Sequence, residues 1–165
     1  MLFPLQLPTM KPRKSWREKL ADDKGLPKVG PVTDKMTTKW GTGIMVIPAP
    51  REVDAIMRKV PRGKLATINE IRAALARQHK ADFGCPITTG IFAWIAAHAA
   101  AEAAAEGRKR ITPYWRILKT GGELNAKYPG GIPALRKSLA AEGYRLLRKR
   151  KRFLVADFEK SLFRP

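Results

Sequence analysis

Few side chains in this chain are equipped for covalent chemistry, so the exceptions are informative. Cys85 is the single thiol among 165 residues, which rules out an internal disulfide. It stands directly before Pro86, at the start of a long predicted helix, where the helix dipole favours a thiolate. A thiolate nucleophile also wants a neighbouring base, and the nearest histidine in sequence is His79. A lone small cysteine is more often a packing residue than a nucleophile. His79, His98 and Cys85 lack the spacing of metal ligands, so no metal and no cofactor is expected. A second group is aromatic: Tyr114 and Trp115 stand side by side before Arg116. A phenol beside an indole is no nucleophile, but aromatic faces stack on unpaired bases.

Charge supplies the partner class. Thirty-three Lys and Arg against 14 Asp and Glu give a net charge of +19 and a pI near 10.6. Such a surplus repels itself unless a polyanion neutralises it, which points to nucleic acid. An anionic membrane is the competing partner, but no segment reads as a basic amphipathic helix with a broad apolar face. The alanine-rich run from Ile91 to Ala105 is interrupted by His98 and Glu102 and is too short to span a bilayer. Met1 to Pro8 is apolar, broken by proline and without a basic leader, a poor signal peptide. An intracellular location, in the cytoplasm or nucleoid, is expected.

These groups need elements to hold them. Ser15-Trp16-Arg17-Glu18 predicts a capping box and a short helix to about Asp22. Residues 23–43 have no clear period and read as an ordered loop or partial linker. Ile44–Ile47 is a short strand, and Val53, Ile56, Met57 and Val60 have helical spacing behind Pro50. Thr67-Ile68-Asn69-Glu70 is a second capping box, opening a helix to about Gln78. The long helix then runs to about Glu106 with Ile87, Ile91, Trp94, Ile95 and His98 as its predicted inward stripe. The other face, Thr89, Ala93, Ala96 and Ala100, is small and suited to close approach by a partner. Tyr114–Leu118 is a predicted strand and residues 131–141 a helix with Leu135 and Leu139 inward. Tyr144–Leu147 and Phe153–Phe158 form a hairpin with Arg148-Lys149-Arg150-Lys151-Arg152 at its tip. The expected fold is mainly α with a small β component, a winged helix-turn-helix with a C-terminal basic β-hairpin.

The order of several segments resembles the DNA-binding domain of the alkylguanine-DNA alkyltransferases over roughly residues 53–143. Val60-Pro61-Arg62-Gly63-Lys64-Leu65-Ala66-Thr67 is similar to the turn that leads into that family's helix-turn-helix. Thr112-Pro113-Tyr114-Trp115-Arg116 stands where the family has Pro-Cys-His-Arg. Tyr128-Pro129-Gly130-Gly131 and Leu139-Ala140-Ala141-Glu142-Gly143 are similar to its Tyr-x-Gly-Gly and Leu-x-x-Glu-Gly segments. By that resemblance Tyr114 replaces the acceptor cysteine and Trp115 the histidine, while Glu142 matches the acidic member of the network. Ile68 and Ile87 stand where the family has a nucleotide-rotating tyrosine and an intercalating arginine. The resemblance is nearest to the alkyltransferase-like proteins, which lack the acceptor cysteine.

The resemblance implies a non-catalytic DNA-binding protein that senses alkylated bases for repair, with no catalytic residue. Residues 1–43 would be an arm and irregular extension, 44–158 the DNA-binding domain and 159–165 a tail. Expected DNA contacts are Arg62, Lys64, Thr67, Asn69, Thr88, Thr89, Ala93, Arg108, Lys109, Arg110 and the hairpin residues Arg148 to Arg152 (Arg148, Lys149, Arg150, Lys151, Arg152). Lysines and arginines there would hold phosphates without reading sequence. Tyr114, Trp115, Arg116, Tyr128 and Glu142 would line a base pocket. Duplex DNA, alkylated or not, is the expected partner, with RNA and repair proteins as further partners. The rival readings are an active alkyl acceptor using Cys85 and a general nucleoid or RNA-binding protein.

Overall fold

A computed structural model describes residue 8 and residues 10–165. Among them the chain is mainly helical with three small sheets. Helix α1 (Trp16–Ala21) opens on the capping box: the Ser15 hydroxyl accepts from the Glu18 amide, and the Glu18 carboxylate accepts from Ser15. Residues 23–43 are more regular than their composition suggested, with strand β1 (Lys28–Pro31) and helix α2 (Asp34–Trp40). The reason is tertiary, since β1 forms only by pairing antiparallel with β2 (Ile44–Ile47), Lys28 opposite Ile47. Helix α3 (Pro50–Arg58) starts on its proline, where the missing N–H is no loss.

Strand β3 (Ala66–Thr67) leads directly into α4 (Ile68–His79), whose first turn carries the second capping box at Thr67 and Glu70. Strand β4 (Phe83–Gly84) pairs parallel with β2 and delivers the chain to α5 (Pro86–Ala105). The Tyr114–Leu118 segment is half strand. Tyr114–Arg116 forms a 3-10 turn, and only β5 (Ile117–Leu118) pairs, parallel to β3. Helix α6 (Gly131–Ala141) buries Leu135 and Leu139 as expected. Strands β6 (Leu146–Lys149) and β7 (Arg152–Val155) make the hairpin, with Lys149 opposite Arg152, so only Arg150 and Lys151 form the turn. The last residues return to β3: Leu65 donates to the Ser161 carbonyl and Phe163 to that of Leu65.

The main core gathers Val53, Ile56 and Met57 of α3, Ile71 and Leu75 of α4, Ile117, Leu118 and Leu139 around α5. Here the predicted orientation of α5 is corrected. Ile87 and Ile91 are 51% and 46% exposed, whereas Thr89, Ala93 and Ala96 are fully buried. Periodicity identifies an apolar stripe without saying what covers it. Rows of alanine let α3 lie close against α5, so the small face goes inward and packs tightly. The C-terminal half of the apolar stripe is covered by α1. Trp16 stacks on His98 at 4.4 Å and meets Trp94 edge-on at 4.7 Å. Among the described residues, the N-terminal half has no such cover.

Candidate nucleic-acid interface

That bare half of α5 forms one wall of an open groove of about 760 Å³. Ile87, Gly90, Ile91 and Trp94 face it from α5, and Ile68, Asn69 and Arg72 from α4. The loop after β5 closes the third side with Lys119, Thr120, Asn125 and Lys127. The walls are held rigidly. The Trp94 indole N–H and the His98 Nε2 both contact the Lys127 carbonyl at 3.1 Å, tying the loop to α5. Asn125 accepts from the Lys127 amide at 3.0 Å. Across the groove, the Arg72 Nε donates to the Gly84 carbonyl at 2.8 Å. A Cβ at Gly84 would stand 3.0 Å from the Arg72 carbonyl oxygen, so α4 lies this near the entry to α5 only because Gly84 has none. Partial burial lowers the Arg72 guanidinium from its usual value.

The result is an apolar floor with amides and cations around it. A flat aromatic ring with hydrogen-bonding edges fits such a surface, and a phosphate fits its rim.

The five residues expected to line a base pocket do something else. Tyr128 is buried in the core, and Tyr114 packs edge-on against it at 6.1 Å and against Trp115 at 5.5 Å. Burial raises both phenols above their usual value, the fully buried Tyr128 far more strongly. The Arg116 Nε donates to both Glu142 carboxylate oxygens, at 2.8 and 3.2 Å, and Nη2 adds a further bond. Its Nη1 donates to the Val60 carbonyl at 2.9 Å. One guanidinium therefore fastens the turn after α3 to the C-terminus of α6. With Glu142 4% exposed at its side chain, this is a buried strut. None of the five lines the groove. The volume that stacking would need lies beside them, framed by residues that spacing alone did not single out: Arg72, Gly90, Lys119, Thr120, Asn125 and Lys127. Trp94 was visible in the apolar stripe but was read as inward.

The expected DNA contacts divide in the same way. Asn69 lines the groove. Arg62 and Lys64 are exposed on the turn before α4, with Arg62 donating to the Ala141 carbonyl at 3.2 Å. The five hairpin cations are all exposed, and only Arg152 is ion-paired, to Glu123 at 2.9 Å. Thr89 and Ala93 are corrected: both are fully buried against the core and reach no external ligand. Thr67 is buried as the cap of α4. Thr88 sits beside Cys85 on the far side of Ile87, lining a smaller hollow against β1 and α2. Arg108 and Arg110 line a different cleft on the opposite side of α5, away from the groove, and Lys109 is exposed between them. Cys85 is buried with Val32 and Met45, and His79 bonds Glu52 at 2.6 Å.

No family model matches the sequence, and no curated protein matches it. Two solved structures do. The chain aligns with S. pombe ATL in complex with DNA at 15% identity and a TM-score of 0.52, covering 70% of this chain and 94% of that one. This chain has the alkyltransferase-like fold. A second crystal structure, S. pombe Atl1 in complex with damaged DNA containing O6-carboxymethylguanine, aligns at 17% identity and a TM-score of 0.46 with the same coverage. In this alkyltransferase-like fold the Tyr114-Trp115-Arg116 segment stands as a 3-10 turn behind α5, with its two aromatic rings partly buried. Among the described residues, no helix is long and apolar enough to cross a membrane.

Proposed function

We propose that this protein is a non-catalytic DNA-binding protein of alkyltransferase-like type that senses alkylated bases. The observation that carries this reading is the open groove, floored by Ile68, Ile87, Ile91 and Trp94 and rimmed by Arg72, Lys119 and Lys127. An extruded base lies against Ile68 and Trp94 and meets Asn69 or Asn125 with its edge. Ile87 and Ile91 fill the stack the base leaves behind, as apolar wedges do in other DNA-bending proteins. The +19 charge and the exposed hairpin cations supply affinity through the phosphates. On this reading residues 44–158 are the DNA-binding domain, with α4 and α5 as its helix-turn-helix and β6–β7 as its wing. The ATL structure solved with DNA has the same fold, which supports the assignment of the partner. The protein acts inside the cell, on duplex DNA.

Titration of duplexes with and without an O6-alkylguanine tests the proposal. Binding to both, tighter to the alkylated duplex and falling steeply with salt, is expected. Equal affinities reduce the function to general DNA binding, and a flat salt response removes the phosphate argument. Mass spectrometry of the protein after incubation with alkylated DNA should find Cys85 unmodified. An alkyl adduct there would make it an acceptor after all.

A further inference from the structure

On the side of α5 away from the groove lies a recess of about 530 Å³, floored by Ala96, Ala99, Ala100 and Ala103. Five arginines reach it from separate parts of the chain: Arg17 from α1, Arg51 and Arg58 from α3, and Arg108 and Arg110 from the segment after α5. No lysine lines it, although lysine is as common as arginine in this sequence. Arginine is the cation whose planar fork pairs two oxygens at once.

Not all five are free. Arg17 is engaged by Glu102 and Glu106, and Arg51 lies 3.5 Å from Asp23. Arg108 and Arg110 have no ion pair among the described residues. Arg58 is half committed in a useful way. Asp54, 8% exposed, accepts from the Arg58 Nε at 2.9 Å and from the Thr112 hydroxyl at 2.6 Å. This one buried carboxylate orients the Arg58 fork by its inner edge and pins the 108–112 segment to α3. The terminal nitrogens of Arg58 therefore stay available beside Arg108 and Arg110. Positioning a donor in advance removes the entropy cost of ordering it on binding.

We propose that this cleft binds an extended, acidic segment of a partner protein while the groove holds DNA. The recess is too small to admit a duplex, whereas an extended chain needs only about 5 Å of width. Leu20 and Ile111 at its sides, above a nearly closed floor of alanine, suit aliphatic side chains between the carboxylates. Phosphates would leave that apolar surface unused.

Fluorescence anisotropy tests this with a short labelled peptide of alternating Asp and Leu, titrated into the full-length protein with and without saturating duplex. Expected is binding in both conditions, giving a ternary complex. Two charge-matched triple variants locate the site. Arg58→Gln/Arg108→Gln/Arg110→Gln should weaken peptide binding by about tenfold or more and leave duplex affinity within about twofold. Arg148→Gln/Arg150→Gln/Lys151→Gln should do the reverse. The double variant Arg108→Gln/Arg110→Gln leaves the Asp54 pair intact and should show an intermediate loss, which guards against misfolding of the triple variant. Displacement of the peptide by duplex, or equal losses from both triple variants, would reduce the cleft to nonspecific charge. If a short oligothymidylate, and not the peptide, loses affinity in the first variant, the cleft is a single-strand site and the proposal is overturned. Because duplex binding is read separately, failure here is distinct from failure of the DNA-sensing reading.

Discussion

Two regions of this molecule carry aromatic and apolar side chains next to cations, yet one is closed and the other open. Around Tyr114 and Tyr128 the aromatic rings pack on one another, and Arg116 is spent on Glu142 and the Val60 carbonyl. Around Ile87 and Ile91 the apolar surface is bare, and Arg72, Lys119 and Lys127 border it. The motif that resembles the reactive centre of the alkyltransferases has become structure, and the surface beside it remains available. A substitution in the closed region should therefore move stability, and one in the open region should move binding.

The severest test of that division is Arg116→Ala. It leaves Glu142 buried without its partner and should cost about 3–5 kcal/mol in urea denaturation. A loss below the level of an exposed pair would mean that the strut is not closed at all. Next is Ala96→Leu on the buried face of α5. Overpacking against α3 should destabilise by about 1–3 kcal/mol. If that variant instead loses DNA affinity at unchanged melting temperature, the small face is a DNA surface and the assignment of the two faces is reversed.

Ile87→Ala and Ile91→Ala should show the opposite profile, with stability within about 0.5 kcal/mol because both residues are already half exposed. Duplex affinity should drop about tenfold for the pair, and so should the fluorescence rise of 2-aminopurine placed at the lesion. A fluorescence rise retained in the double variant would show that the base leaves the stack without the two isoleucines and that they are not its wedge. A smaller effect is expected at the hairpin. Arg150→Gln should reduce the salt slope by about 0.9 if it neutralises one phosphate, with no change in preference for alkylated DNA.

The mildest effect concerns the cover of α5. Partial burial pushes the Glu102 carboxyl up, but the Trp16 and Arg17 amides and the Arg17 guanidinium outweigh it, and its value lies below the usual one. A depressed carboxyl contributes stability that is fully present above its unfolded value and lost as pH falls through the folded one. Helix α1 should accordingly loosen from α5 in acid, before the core unfolds. Trp16 emission would report it, and Glu102→Gln should abolish that early step.

Much of the fold was legible because its signals are local. Both capping boxes, at Ser15 and Thr67, open helices as their spacing demands, and Pro50 and Pro86 begin the next two. Leu135 and Leu139 fall inward on α6 by simple periodicity. Strand β1 was not legible, since Lys28–Pro31 has no pattern of its own and exists by pairing with β2. The site was read only in part. Asn69 lines the groove, Ile87 borders it although its spacing read as inward, and Thr89 and Ala93 proved to be core. The same small side chains that suit approach to DNA suit approach to α3 equally well. Nothing in a single sequence distinguishes those partners.

From its residues alone this chain had its charge fixed: +19 is a sum over side chains and does not depend on how they are arranged, and it carried the expectation of a polyanionic partner. That Tyr114 and Trp115 offer neither a thiol nor an imidazole was equally plain, because chemistry is a property of residue type. Which apolar face of α5 meets water was decided by the rest of the molecule. Alanines pack closest to α3, Trp16 covers only half of what remains, and Ile87 and Ile91 are left over at the mouth of a groove. Exposure is a relation between elements distant in sequence, so only the assembled fold could assign it.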